Sequence, residues 1–146
     1  MTDILMNKLQ ELDCRISGNF PLKAEMREYL RKLKDENAVE TSQEYVDMAY
    51  DISSMHIHDA LGLLPIVLHV EISRMIASGF GGCAECVVFW ICDLSWQDMQ
   101  NLTLAQLVVI RDWIELVAAN GFVDEGRVKN AVDAIDIAIN ERYSLR

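Results

Sequence analysis

Two cysteines three residues apart, Cys83 and Cys86, are the residues of this chain whose types and spacing most directly suggest chemistry. They follow the glycine-rich string Gly79-Phe80-Gly81-Gly82 and precede the apolar run Val87-Val88-Phe89-Trp90-Ile91. At a helix start, free amide N–H groups and the helix dipole stabilise a thiolate at Cys83. Such a pair can run thiol–disulfide exchange. A zinc site needs more ligands. No second pair exists, and Cys14 and Cys92 would join only if folding brought them there, so no metal is expected. The plainer alternative, favoured because free cysteines are usually buried, is two reduced thiols packed into a tight helix start.

Glu71 stands twelve residues before Cys83, and the string Glu71…Gly82-Cys83-Ala84-Glu85-Cys86 resembles the active-site stretch of the AhpD-like, carboxymuconolactone-decarboxylase-type proteins. The resemblance spans about sixteen of the 146 residues. It implies an all-α fold and a thiol-dependent oxidoreductase. In that reading Cys86 is the attacking thiol, Cys83 its disulfide partner and Glu71 part of a proton relay. The relay histidine of the family would fall at Trp90, and an indole does not relay a proton at neutral pH.

The three histidines offer a poorer centre. His56 and His58 lie two residues apart and point to different sides of a helix, while His69 is eleven residues beyond. His56 shares a helical face with Tyr45, Ala49, Ile52 and Leu63, and His69 with Ile66, Ile72 and Ile76, so both read as core or core-edge residues. Diverging faces do not make a first coordination shell. Serine-nucleophile motifs are absent, and the glycine string lacks the Gly-Lys-Ser/Thr and strand context that phosphate binding requires. No cofactor is expected.

Charge separates the chain into two parts. Residues 1–34 carry seven Lys/Arg against five Asp/Glu, a net of +2, whereas residues 35–146 carry six against eighteen, a net of −12. Lys23, Arg27, Arg31 and Lys34 form a basic stripe interleaved with acids, in which Glu28 can pair with Lys32. It reads first as a solvated helix face, with the acidic body of the chain as another possible neighbour. A net charge of −10 argues against direct nucleic-acid binding and suits a basic partner. The expected function is therefore non-catalytic protein–protein binding, as an inhibitor, immunity factor or regulator of a basic or nucleic-acid-handling partner. Its contact face would be the acidic helices at about 103–141, with Asp112, Glu115, Asp133 and Asp136 as binding residues. The AhpD-like oxidoreductase built on Cys83, Cys86 and Glu71 is the alternative. A homodimer is a further possibility for a helical protein with surplus apolar surface.

The elements that must position these residues follow from hydrophobic spacing. Leu5, Leu9, Leu12 and Ile16 mark a first helix that ends at Ser17-Gly18-Asn19. Pro21 opens a second over about 22–37, and Thr41 with Glu44 has capping-box spacing for a third that runs to about 64, where Pro65 imposes a break or kink. A fourth covers 66–78. The segment 83–94 has β propensity, but no partner strand exists, so it is assigned as helix. Ser95 with Asp98 caps a short turn, and Thr103 with Gln106 opens a long helix closing at Asn120-Gly121. A last helix starts near Asp124, with Val128, Ala131, Ile135 and Ala138 inward.

About half of the residues are hydrophobic, with few Gly and Pro, which excludes a disordered chain. The expectation is a single all-α domain over 1–146, a compact bundle of six or seven helices. With no signal-peptide pattern and apolar runs shorter than a bilayer span, the expected location is the cytoplasm, away from membranes.

Overall fold

A computed structural model describes residues 2–35, 43–79, 82–121 and 123–144. Among them are eight α-helices and no strand, so the chain is all-α. Helix α1 (Asp3–Asn19) starts at Thr2, whose hydroxyl accepts from the Leu5 N–H at 3.2 Å. Its stripe of Leu9, Leu12 and Ile16 is buried, as the spacing predicts. Helix α2 (Ala24–Asp35) follows Pro21 and buries Leu33. Its expected last residues, and Thr41 of the capping box, lie outside the described residues.

The first correction concerns the break expected at Pro65. Helix α3 (Gln43–Asp51) runs into a 3-10 turn at Ile52–Ser54, and α4 (Ile57–Ser78) continues through Pro65 without interruption. The chain turns earlier because Ser53 and Ser54 bond back to the carbonyls of Tyr50 and Asp51, at 3.3 and 3.0 Å. Such bonds compete with helix continuation. His56 then caps α4, its ring nitrogen accepting from the His58 N–H at 3.3 Å. Pro65 forfeits one helical hydrogen bond at a cost of about 3 kcal/mol. The buried run Leu64–Val70 around it offsets that loss through apolar burial. Helix α4 stops at Gly79, whose φ of +90° suits only glycine well and lets its N–H reach the Met75 carbonyl at 2.8 Å.

Helix α5 (Ala84–Asp93) confirms the helical assignment of the apolar segment. It is apolar on most sides because it packs on α4, α7 and α8 together. Helix α6 (Trp96–Met99) is a single turn capped by Ser95, and it raises the count above six or seven. Helix α7 (Leu104–Leu116) has the expected capping box at Thr103 and Gln106, then a 3-10 turn at Ala118–Asn120. Helix α8 (Glu125–Ser144) buries Ala131, Ile135 and Ala138.

Helix α4 holds the arrangement together, packing on α1, α2 and α5. Trp113 of α7 is fully buried and donates its indole N–H to the Leu68 carbonyl at 3.1 Å. Among the described residues α4 alone has the length and apolarity of a membrane span, and 61% of that apolar window is buried against the rest of the chain. His69 and Glu71, two residues apart on α4, leave it on opposite sides. One meets α1 and the other meets α3 and α5.

Candidate functional site

The sequence-predicted Glu71 and Cys83 come together where α4 and α5 meet, and Cys86 follows on the first turn of α5. Glu71 is fully buried, and both of its carboxylate oxygens are occupied. One accepts the Cys83 backbone N–H at 2.6 Å, and the other accepts the Tyr45 hydroxyl at 2.5 Å. Arg74, one helical turn along α4, reaches that second oxygen at 3.4 Å. A buried carboxylate is tolerated only when paired and hydrogen-bonded, and here three donors converge on it. Local sequence explains part of this. Glu71 and Arg74 are i and i+3 on α4, and Cys83 is the N-cap of α5, where an N–H has no helical acceptor.

The same guanidinium serves the cysteine pair. Arg74 Nη1 also lies 3.4 Å from Cys83 Sγ, and its charge sits 5.7 Å from the centre of the Tyr45 ring. A hydrogen bond from the Cys86 thiol lowers the Cys83 pKa; burial and the charge of Glu71 oppose it, and Arg74 adds to it. The net effect places Cys83 below an ordinary thiol. Cys86 is pushed far up, first by that same hydrogen bond and then by burial and the negative charge of Cys83. The more acidic of the two thiols is therefore Cys83, whereas the family resemblance implied Cys86 as the attacking one. Both cysteines are free and nearly buried.

Gly82 makes room for this arrangement. A Cβ there would stand 3.0 Å from Arg74 Nη1 and 3.2 Å from its Cζ, so the guanidinium lies where a side chain at residue 82 would go. Outside the cluster, the exposed Tyr50 hydroxyl donates to Glu85, between the two cysteines, at 2.5 Å. Burial and the neighbouring Glu71 raise the Tyr45 pKa well above its usual value. Trp90, where the resemblance would need a histidine, is buried.

Sequence reasoning did not single out Arg74 or Tyr45 for the site. Arg74 could have been found from its position one turn after Glu71. Tyr45 comes from a different helix, and nothing local in the sequence marks it.

The histidines also need correction. His56 is exposed at the cap of α4, not on a core face, because the chain turns before it. His58 is exposed beside it, the two rings 5.2 Å apart. His69 is buried as expected, but it is bonded to Asp13 and Ser17 of α1. Among the described residues no group of three His, Cys, Asp or Glu is placed to hold a metal ion.

The expected acidic contact residues are paired within the chain. Asp112 meets Arg15 at 2.8 Å, Glu115 meets Arg111 at 3.1 Å, Asp136 meets Arg111 at 2.5 Å and Asp133 meets Lys129 at 3.4 Å. Part of their charge is thereby neutralised locally. In the basic stripe, Glu28 pairs with Arg31 at 2.5 Å rather than with Lys32, and Lys34 approaches Asp13 at 3.8 Å. Comparison with protein-family models, with curated proteins and with solved structures finds no match to any of them.

Proposed function

We propose that the chain is a thiol–disulfide oxidoreductase acting through Cys83 and Cys86. The observation that carries this reading is Arg74 Nη1 at 3.4 Å from Cys83 Sγ, which places a fixed positive charge on the first thiol of a Cys-x-x-Cys pair. The N-terminal position on α5 acts in the same sense. The resemblance of Glu71, Cys83 and Cys86 to the AhpD-like active-site stretch supports it.

In the reductive direction the Cys83 thiolate attacks a substrate disulfide. A Cys83–substrate S–S bond forms, the substrate S–S bond breaks, and one substrate thiolate leaves. Cys86 gives its proton to that leaving sulfur and attacks Cys83, expelling the second substrate thiolate. Two protein thiols become one disulfide while one substrate disulfide becomes two thiols. A small dithiol reverses the reaction. Without a histidine at residue 90, peroxide reduction through the family's relay is not expected. The thiols are enclosed, so exchange requires the start of α5 to part from α4, next to the exposed Gly79 and Gly82.

The test is incubation with oxidised and reduced dithiothreitol at fixed ratios, followed by mass spectrometry. A reversible loss of two hydrogens that maps to Cys83–Cys86 supports the proposal. Thiols that stay reduced at every ratio, with Cys83 alkylating like an ordinary cysteine, refute it.

A second reading is protein–protein association, favoured by the exposed Trp96, Ile137 and Tyr143. Trp96 is tied by its indole N–H to Glu141, one turn from Ile137 on α8. Large exposed aromatics of this kind anchor interfaces, with a basic partner or a second copy as occupant. Light scattering on the protein and on Trp96→Ala separates a dimer through this face from a monomer.

A further inference from the structure

On the side of α4 away from the cysteines, His69 is held between two residues of α1. Its Nδ1 lies 2.5 Å from Asp13 Oδ1, and its Nε2 lies 3.5 Å from Ser17 Oγ. Asp13 and Ser17 are i and i+4 on α1 and so share one face. A carboxylate only accepts, so Nδ1 carries the hydrogen toward Asp13, and in the neutral imidazole Nε2 is then the nitrogen with a lone pair for the serine hydroxyl. That order, carboxylate to Nδ1 and Nε2 to hydroxyl, is the one in which an imidazole serves as general base for a serine. It is recognised by geometry and not by sequence position, which is why no motif announced it.

The surroundings suit a substrate. All three residues line one cavity of about 480 Å³ between α1, α2 and α4. Phe20, Leu22 and Leu30 give it apolar wall, and Arg27, Arg31 and Lys34 give it positive charge. This absorbs the basic stripe of α2, whose cations face a cavity in an otherwise acidic chain. His69 is buried while Ser17 is exposed, so the base is shielded and the nucleophile open to a ligand. The 3.5 Å Ser17 contact is long, as such contacts commonly are before substrate binds.

We propose that Ser17, His69 and Asp13 form a second, serine-nucleophile centre that hydrolyses small esters whose acyl part carries a negative charge. Ser17 Oγ bonds to the ester carbonyl carbon as its proton passes to His69 Nε2. The C–O bond to the alcohol then breaks, and His69 returns that proton to the leaving oxygen. Water attacks the acyl-serine by the same path, giving a carboxylic acid and regenerating Ser17. Asp13 positions the imidazole and stabilises its charged form, and the α2 cations hold the substrate's anionic group.

The test treats the intact protein with a fluorophosphonate, which labels activated serines, and maps the adduct. It also measures hydrolysis of mono-4-nitrophenyl succinate against neutral 4-nitrophenyl acetate. The expected result is a single adduct at Ser17 that is lost in Ser17→Ala and His69→Gln. Arg27→Gln should lower kcat/KM at least about tenfold for the succinate ester, as for loss of one charged contact, and by a smaller factor for the acetate. Ser17 is exposed, so Ser17→Ala keeps the fold, checked by circular dichroism, and remains decisive if His69→Gln does not fold. Absence of an adduct on the unmodified protein, or hydrolysis that survives Ser17→Ala, overturns the proposal. Retention of labelling in Cys83→Ser/Cys86→Ser shows that the two centres stand or fall separately.

Discussion

The Glu71 carboxylate accepts the Cys83 N–H at 2.6 Å, so a residue in the middle of α4 fixes the start of the helix that carries both cysteines. Removing it leaves buried donors unpaired. Glu71→Ala should destabilise the chain by about 3–5 kcal/mol, the usual cost of breaking a buried charged pair. A urea titration measures this, and a loss below about 1 kcal/mol would show that water replaces the carboxylate there.

Arg74 should contribute to the reactivity of Cys83, beside the larger effect of Cys86. In Arg74→Gln the Cys83 pKa rises toward that of an ordinary thiol. Alkylation by iodoacetamide at pH 7 should slow, because less of the sulfur is present as thiolate. Arg74→Lys should keep part of the effect. An unchanged pH profile in Arg74→Gln would mean that the guanidinium does not act on the sulfur.

Gly82→Ala tests the same contact without touching a charged group. Its Cβ would stand 3.0 Å from the flexible end of Arg74, which must swing away from Cys83. The expected outcome is slower alkylation, with a stability change of less than about 1 kcal/mol because the far end of a long side chain yields cheaply. Equal alkylation rates in the variant and the parent would show that Arg74 finds another route to the sulfur.

Tyr45 predicts a loss of stability in alkali. Its folded-state pKa lies well above the ordinary tyrosine value, so its contribution is fully present below about pH 10 and is lost as pH rises beyond that value. In that range the unfolded chain has released a proton that the folded chain keeps. Tyr45→Phe removes the ionisable group, and its denaturation midpoint should fall less steeply as pH rises through about 10 and above.

The pairs of Arg111 with Glu115 and Asp136 are exposed enough to be weak. Asp136→Asn should cost about 0.2–1 kcal/mol, and the cost should shrink with added salt. Thermal melts at low and high ionic strength measure both. A cost near 3 kcal/mol would mark this pair as a structural anchor.

How much was legible beforehand depended on the range of the interaction. Helix α1, the Thr103–Gln106 capping box, the Ser95 cap and the inward stripe of α8 could be read directly, because a 3.6-residue period and a cap are settled within a few residues. Glu71, Cys83 and Cys86 could be singled out by spacing. The chain turns before α4 and not at Pro65, because a proline's local penalty is visible in sequence, whereas the packing that offsets it in α4 is not.

The sequence by itself determined an acidic, all-α chain, the phases of most of its helices and the cysteine pair at the start of one of them. Those properties arise from composition and from contacts between residues close in the chain. Only the tertiary structure decided that Tyr45 and Arg74 converge on Glu71, that Cys83 and not Cys86 receives the positive charge, and that Asp13, His69 and Ser17 align. It also decided that Asp112, Glu115, Asp133 and Asp136 are paired with the chain's own cations. The physical reason is common to all of these. Each is a polar contact between side chains brought together by helix packing or chosen among several neighbours within a helix, and packing of apolar faces decides which of them meet.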